Sequence, residues 1–241
     1  MQHNDPYTFA PGASAPTLHL VPDSFQAFLV EQANFTKTEE YPILQPDMIF
    51  NGVPDKIIPF QKAWNLRHQA DLSNTFVCFY SPDSEFERVR RNPAQFVPFF
   101  KSTAGIIGFD FSIHQDMPII KQKSQMNDNL SLTYYFASKG IPIIPNLRCG
   151  VEEVSDEFFS TIPQKSTVAI GTHGFFKHEE EKCEWFCFLE KVIDQLKPAR
   201  VIVYGSLKSP LFDPLKQKTQ FHCFTPWISE RWKQQELNYG D

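Results

Sequence analysis

The stretch STVAIGTHG (166–174) is followed by EEEKCEWFCFLEKVIDQLKP (179–198) and then by ARVIVYGS (199–206). The first and third runs are apolar and rich in β-branched residues, which is typical of buried strands. The middle run carries apolar residues at helical spacing from Trp185 to Leu196, and its acidic start suits the positive end of a helix dipole. Strand, helix and strand in this order predict a parallel βαβ unit.

The same alternation of strand-like and helix-like runs extends over most of the chain. Strands are predicted at 75–80, 104–111, 141–146, 166–174, 199–206 and 219–224. Helices are predicted at 61–69, 92–101, 124–140, 156–160, 179–198 and 211–217. The strand-like runs are continuously apolar, which indicates a parallel sheet with both faces covered.

The predicted fold class is α/β, a three-layer, open, mainly parallel sheet of about six strands with helices on both faces. About six strands are too few for an eight-stranded barrel. An incomplete barrel stays open as the alternative if residues 1–70 contribute further strands.

The sequence predicts a single α/β domain preceded by an N-terminal arm. The arm, residues 1–22, is rich in proline and shows little periodicity. Asp23 and Ser24 are good capping residues for a helix predicted over 23–35. The domain at 23–241 divides into three parts: a helical or irregular cover at 23–72, the alternating strand and helix core at 73–225, and a C-terminal tail at 226–241.

Composition argues against several classes of protein. The 241 residues include 24 Phe and 19 Pro but only 10 Gly. No G-x-G-x-x-G or G-K-[ST] motif occurs, which argues against a Rossmann or P-loop site, so no nucleotide cofactor is predicted. The formal net charge of −5 provides no chain-wide basic field for nucleic acid, although a local basic patch stays open.

Three further features predict a cytoplasmic protein. No apolar run reaches the length of about 18 residues that a membrane span requires, so no membrane contact is expected. The N-terminal segment lacks the basic start and apolar stretch of a signal peptide. The five cysteines are widely spaced and odd in number, which favours free thiols in a reducing compartment.

Polar side chains follow four of the predicted strands at the point where each strand ends. The carboxyl ends of parallel strands meet at one edge of the sheet, where α/β proteins bind ligands. We call this edge the strand-end face. The residues expected there are Asp110, Phe111, Ser112, Asn146, Arg148, Thr172, His173, Tyr204 and Ser206.

Two residues of this set are predicted to be catalytic. Asp110 lies between Phe109 and Phe111, which would partly desolvate its carboxylate and leave its field weakly screened. His173 would act as an acid, a base or a donor to a leaving group. The alternatives are an ion pair between Asp110 and Arg148, and a His173 side chain that is satisfied by backbone groups.

Basic residues are candidates for contacts with DNA phosphates. Lys121, Lys123, Arg148 and Lys208 would form a rim around the strand-end face if they share it. A further basic run, ERVRRN, lies at 87–92. The alternative for each cluster is an ordinary solvated surface.

Cysteine and histidine residues leave two alternatives open, although the sequence predicts no metal site. Cys183 and Cys187 lie one helical turn apart, and His173 and His178 precede them, so the four side chains would be candidate zinc ligands. The C-x2-C knuckle of structural zinc sites is missing, however. Cys149 follows an arginine, and a neighbouring cation lowers a thiol pKa, so Cys149 is an alternative nucleophile.

A family resemblance rests on six segments: IIPFQKAW (57–64), TFVCFYSPDSEFERV (75–89), GFDFSIHQDMP (108–118), YYFASKGIPIIPNLR (134–148), STVAIGTHGFF (166–176) and LKPARVIVYGS (196–206). These segments resemble a family of bacterial, archaeal and phage proteins that is carried as a domain of unknown function. The resemblance implies an association with phages and mobile elements, and with nucleic-acid processing or phage–host conflict. It implies no particular reaction.

Two short segments, IIGFDFS (106–112) and VIVYGS (201–206), also resemble the uracil-DNA glycosylase-like superfamily. That superfamily has a parallel sheet with helices on both sides, and its first site strand ends in an Asp or Asn among aromatic residues. The G-Q-D-P-Y and H-P-S motifs of the superfamily are missing here. The resemblance therefore implies a functional role for Asp110 alone.

These observations lead to the hypothesis of a DNA glycosylase that excises a base, such as a modified phage base, in phage–host conflict. Asp110 would stabilise the positive charge that develops on the sugar, and His173 would donate a proton to the departing base. DNA is the expected partner, and the reaction needs no metal or nucleotide cofactor. The flipped base would be held by Phe111, Ser112, Asn146, Tyr204 and Ser206.

The alternative hypothesis is a non-catalytic nucleic-acid- or nucleotide-binding protein of a phage or mobile element. In that case Asp110 would orient Arg148 at the strand-end face rather than take part in chemistry. A small-molecule hydrolase or lyase on an incomplete barrel is a third hypothesis. The sequence leaves the oligomeric state open.

Overall fold

A computed structural model describes residues 26–114, 116–148, 157–172 and 179–227. The strands are β1 (Asn34–Phe35), β2 (Pro42–Ile43), β3 (Lys56–Pro59), β4 (Thr75–Cys78), β5 (Gly105–Ile107), β6 (Ile143–Ile144), β7 (Thr167–Gly171), β8 (Arg200–Tyr204) and β9 (Gln220–Phe224). The α-helices are α1 (Phe60–Leu66), α2 (Glu87–Arg91), α3 (Val97–Lys101), α4 (Ile119–Ser138), α5 (Glu179–Leu196) and α6 (Asp213–Lys216).

Strands β3 to β9 are parallel and lie side by side in chain order. They form a four-stranded sheet, β3-β4-β5-β6, and a three-stranded sheet, β7-β8-β9. A parallel bridge between Asn146 and Ala169 joins the two sheets. At this seam the Leu147 amide donates to the Ala169 carbonyl, and the Ala169 amide donates to the Pro145 carbonyl, each over 2.8 Å. Strands β1 and β2 form a separate antiparallel hairpin.

The predicted α/β class with a mainly parallel sheet is confirmed. The described residues contain seven parallel strands rather than about six, because β3 pairs in register with β4, with Ile57 opposite Phe76. Sequence reasoning missed β3 because it is four residues long, begins with the charged Lys56 and ends in Pro59. Such a short run lacks the periodicity from which a strand is predicted.

The two faces of the sheet are covered differently. Successive strand residues point to opposite faces, so Val77 packs towards the helices while Phe76 packs on the other side. In the described part of the chain, the buried apolar cluster on the second face consists mainly of strand residues. Its buried members are Ile57, Phe76, Cys78, Ile107, Ile144, Ala169, Ile202 and Tyr204. Both faces of the strands are therefore buried, which explains why the strands are apolar on both sides.

Most helix predictions agree with the structure, and one is wrong. Helix α5 (Glu179–Leu196) matches its prediction closely, and α4 ends at Ser138, two residues before Gly140 with its φ of +79°. Where a helix is expected over 23–35, the described residues from Gln26 onward form a 3-10 turn at Ala27–Val30, and Gln26 before it has a left-handed φ of 53°. Within the described ranges, no helix is both long and apolar enough to cross a membrane. The N-terminal arm and most of the tail lie outside those ranges.

Candidate functional site

The strand-end face holds a buried polar network around Asp110 and Asn146, which follow the neighbouring strands β5 and β6. Asn146 Nδ2 donates to Asp110 Oδ1 over 2.8 Å and to the Phe109 carbonyl over 3.3 Å. The Tyr80 hydroxyl, from the segment after β4, donates to Asn146 Oδ1 over 2.9 Å. Asp110 and Asn146 are only 9% and 8% exposed, so the amide lies fixed between a phenol and a carboxylate.

Arg148 completes the network as the ionic partner of Asp110. Its Nη1 lies 3.3 Å from Oδ1 and 3.2 Å from Oδ2 of Asp110, and its Nη2 lies 3.5 Å from the Ile113 carbonyl. The side chains of Arg148 and Asp110 are 12% and 10% exposed. Both carboxylate oxygens of Asp110 are therefore engaged by groups of the protein itself.

The electrostatics of Asp110 reflect two opposed effects. Burial raises the pKa of its carboxyl group, whereas the Arg148 charge and the Asn146 hydrogen bond lower it; the nearby Asp83 charge raises it again. Asp83 is itself held by Ser112, whose amide lies 3.2 Å from both Asp83 oxygens and whose hydroxyl lies 3.0 Å from Oδ1. Ser112 thus supports a second carboxylate beside the network.

Helix α4 holds the segment that carries Asp110. The Phe109 amide donates to Thr133 Oγ1 over 3.1 Å, and the Phe111 amide donates to Asn129 Oδ1 over 2.7 Å. Asn129 Nδ2 returns a 3.1 Å bond to the Phe111 carbonyl. These two buried polar residues of α4 satisfy a backbone that has left the sheet, because β5 ends at Ile107.

An aromatic pair extends the network across the sheet. The rings of Tyr80 and Tyr204 stack with centroids 5.5 Å apart and planes at 22°. The Tyr204 hydroxyl accepts a 2.8 Å bond from the Trp227 amide.

Burial raises the pKa of the neighbouring Cys78 thiol to about 12, so this sulfur is no nucleophile near neutral pH.

Phe111, which is predicted to stack on a flipped base, lies in the core. Its ring is 1% exposed and packs against Phe86, with centroids 4.7 Å apart, in the cluster on the helix side. Side chains alternate along an extended segment, so the residue after Asp110 points away from the network. Tyr204 is 2% exposed, and its ring faces Tyr80 rather than an open pocket.

The four cations of the predicted phosphate rim have different surroundings. Arg148 pairs with Asp110 over 3.2 Å, and Lys123 bonds Glu39 over 2.7 Å. Lys121 is exposed on the first turn of α4.

Lys208 and Ser206 belong to the segment after β8. Lys208 is exposed, and its amide donates to Ser206 Oγ over 3.2 Å. The Ser206 amide donates to Thr172 Oγ1 over 2.9 Å, which ties the segments after β7 and β8 together. The described contacts of Ser206 thus join the loops at the ends of β7 and β8.

Several sequence-based candidates cannot be placed in this site. His173, the second predicted catalytic residue, lies outside the described residues, as do Cys149 and His178. Cys183 and Cys187 are exposed free thiols on α5. In the part of the chain that the structure describes, no group of three or more His, Cys, Asp or Glu side chains could hold a metal ion.

Sequence reasoning missed Tyr80 and Asp83 as members of the site. Both follow β4, in the stretch YSPD (80–83), so a polar strand end was visible there as at the other strands. Tyr80 continues an aromatic run, and such a run is typical of core residues, so a role in the site was not predicted for it. Trp227, which contributes only a backbone amide, carried no such signal.

Comparison with known proteins gives a family and two phage relatives. The family model described as Domain of unknown function (DUF4417) matches residues 34–222. The Gene 1 protein of Mycobacterium phage D29 is 26% identical over 149 residues, which cover 61% of this chain and 55% of that protein. The Gene 1 protein of Mycobacterium phage L5 is 27% identical over 159 residues, which cover 64% and 69%. The chain thus spans about half the length of the D29 protein, and no solved structure matches it.

Proposed function

The chain belongs to the DUF4417 family, and from its strand-end network we propose that it is a non-catalytic protein that binds a nucleotide or nucleic acid through phosphate. Arg148 is the proposed phosphate ligand, and Asp110 and Asn146 are the residues that orient it. The observation that carries this proposal is the full engagement of the Asp110 carboxylate by Arg148 and Asn146. A carboxylate held in this way is better suited to orienting a cation than to attacking or stabilising a substrate.

The position and chemistry of Arg148 support the proposal. It follows β6 at the carboxyl end of a parallel sheet, which is the usual ligand edge of an α/β fold. A planar guanidinium suits the tetrahedral oxygens of phosphate. Because Asp110 already fixes its orientation, binding an anion costs little further side-chain entropy. Similarity to two phage proteins supports a role in a phage or mobile element.

A second candidate is the glycosylase, with Asp110 stabilising positive charge on a sugar. The observation in its favour is the burial of Asp110, which raises the pKa of the carboxyl group and leaves the charge of the ionised form weakly screened. The aromatic pair of Tyr80 and Tyr204 lies beside the same network. The ion pair argues against this candidate, because Asp110 would have to release Arg148 before its carboxylate could contact a substrate.

Calorimetric titration with inorganic phosphate, nucleoside monophosphates and a short single-stranded oligonucleotide tests the binding proposal. We expect wild type to bind at least one nucleotide probe, and Arg148→Lys to weaken it about tenfold by losing the planar fork. Asp128→Asn is the matched control, because it breaks a 2.9 Å pair with Arg90 between two helices. The proposal fails if no probe binds, or if Arg148→Lys binds as tightly as wild type.

Counting abasic sites separates the two candidates. Purified protein is incubated with unmodified and hypermodified phage DNA, and base release by wild type is compared with release by Asp110→Asn. Release that disappears in Asp110→Asn supports the glycosylase and contradicts the non-catalytic proposal. Binding without release from any DNA supports a binding protein.

A further inference from the structure

A group of cations and aromatic rings lies on the surface formed by α1 and α2, and it shares no residue with the strand-end network. Trp64 of α1 is anchored in the core by Phe96 and Phe99, with ring centroids 5.1 and 5.2 Å away. The guanidinium carbons of Arg67 and Arg88 lie 4.1 and 5.1 Å from the Trp64 ring centroid. We call Trp64, Arg67 and Arg88 the α1–α2 surface.

No carboxylate of the described residues pairs with the positive charges of this surface. Arg67 and Arg88 are both exposed, and in the described part of the chain neither has a carboxylate within 4.0 Å. Their hydrogen-bond acceptors are neutral: Arg67 Nη1 donates to the Trp64 carbonyl over 2.7 Å, and Arg88 Nη2 donates to Gln61 Oε1 over 2.8 Å. The charge of each guanidinium therefore remains available to an anion.

The neighbouring cations of the same basic run behave differently. Arg90 bonds Glu87 and Asp128, each over 2.9 Å, and Arg91 lies 3.4 Å from Glu87. Among these four arginines, the two that lack a carboxylate partner within the described residues are therefore the two at Trp64. Burial, and next the charge of Arg67, lower the pKa of Arg88, as expected for two like charges beside one ring. A bound anion would relieve this repulsion.

We propose that the α1–α2 surface binds the sugar–phosphate backbone of single-stranded nucleic acid. Arg67 and Arg88 contact phosphates, and the half-buried Trp64 ring offers an edge against which a base packs. Cations interleaved with an anchored aromatic ring are the usual means of binding single strands without sequence preference. An acidic protein partner would use the cations but would gain little from Trp64.

A basic residue connects this surface with the sheet edge. Lys62, on the same helix as Trp64, places its Nζ 4.5 Å from the Trp227 ring centroid. The Trp227 amide in turn donates to the Tyr204 hydroxyl of the strand-end network. A strand that follows α1 in the direction of its N-terminus would therefore approach the candidate site. The proposal itself does not depend on Arg148.

Fluorescence anisotropy with a labelled single strand of about 20 nucleotides tests the proposal. We expect Arg67→Gln/Arg88→Gln to raise Kd about tenfold and to flatten the dependence of log Kd on log salt between about 50 and about 200 mM, because two phosphate contacts are lost. Arg67→Lys/Arg88→Lys retains the charges and should recover part of the affinity. Lys139→Gln is the matched control, because it removes a cation 5.0 Å from the Tyr135 ring elsewhere on the surface.

Three results would overturn the proposal. The first is the absence of salt-dependent binding by wild type. The second is a double glutamine variant that has an unchanged melting temperature and binds like wild type. The third is polyglutamate that competes as well as unlabelled oligonucleotide. The Arg148→Lys variant separates this proposal from the strand-end one. We expect that variant to keep the salt-dependent affinity that Arg67 and Arg88 provide, even if its nucleotide binding is lost.

Discussion

Asn146 Nδ2 donates a 2.8 Å hydrogen bond to Asp110 Oδ1, which joins the ends of two neighbouring parallel strands. The same asparagine lies opposite Ala169 in the bridge that connects the two sheets, where the adjacent Pro145 carbonyl and Leu147 amide make the hydrogen bonds. Asn146 therefore lies at the seam of the sheets and contributes its side chain to the candidate site. Because the site lies on this seam, any change in how the sheets meet would also move the Asp110 carboxylate.

Removing Arg148 should destabilise the fold through Asp110. Arg148→Gln leaves a buried carboxylate without its counter-charge, and we expect the free energy of unfolding to fall by about 3 kcal/mol near neutral pH. Asp110→Asn in the Arg148→Gln background should recover part of this loss. Urea denaturation of the two single variants and the double variant measures the coupling. Additive losses would show that the ion pair carries no energy.

The same variant makes a prediction about pH. Burial already raises the pKa of Asp110, and the loss of Arg148 removes the largest opposing effect. A raised pKa in the folded state means that stability is present below the unfolded value and is lost as the pH rises through the folded one. Arg148→Gln should therefore cost less stability near about pH 4 than near about pH 7. An equal cost at both values would contradict this account.

The sequence predicts the parts of the fold that follow from local pattern. The α5 stripe and the apolar runs of β7 and β8 identified the parallel sheet, and the strand ends pointed to Asp110, Asn146 and Arg148. Which face of the sheet each strand residue occupies was not predictable, because a residue buried against other strands has the same apolar character as one buried against a helix. The side on which the Phe111 ring lies was not predictable either, because proximity in sequence to Asp110 does not determine it.

Glu157 should contribute stability that is lost in acid. Its Oε2 accepts a 2.7 Å bond from the Glu39 amide, and the Thr38 amide lies 2.9 Å from Oε1. Hydrogen bonding, from the Thr36 side chain first, lowers the pKa of Glu157 to about 2. The stability is therefore present above about pH 4.5 and disappears as the pH falls towards 2. Glu157→Gln should cost about 1 kcal/mol near neutral pH, because solvent screens this carboxylate, and nothing near pH 2.

Chemical denaturation at several pH values checks this prediction. Asp213→Asn is a suitable control, since it removes an exposed carboxylate that pairs only within one turn, with Lys216 over 2.8 Å. A constant difference between Glu157→Gln and wild type across the acid range would contradict the role of Glu157.

Cys78 should be unreactive as long as the protein is folded. Its side chain is 0% exposed, and burial raises its thiol pKa to about 12, so both access and ionisation are suppressed. Cys183 and Cys187 are exposed on α5 and serve as internal controls. Peptide mapping after iodoacetamide treatment near about pH 8 should find these two labelled first and Cys78 only after denaturation. Early labelling of Cys78 would show that the face of the sheet on which Cys78 is buried opens readily.

Gly171 should be required for the position of Tyr80. A Cβ at Gly171 would lie 2.7 Å from Cδ1 and 2.9 Å from Cε1 of the Tyr80 ring, too close for either group to stay in place. Gly171→Ala should therefore cost about 1 to 3 kcal/mol and disturb the bond from Tyr80 to Asn146. In a Tyr80→Ala background the same substitution should cost little, because the ring it meets is gone. Thermal unfolding of the four proteins measures the difference, and equal costs in both backgrounds would mean that Gly171 is constrained by something other than Tyr80.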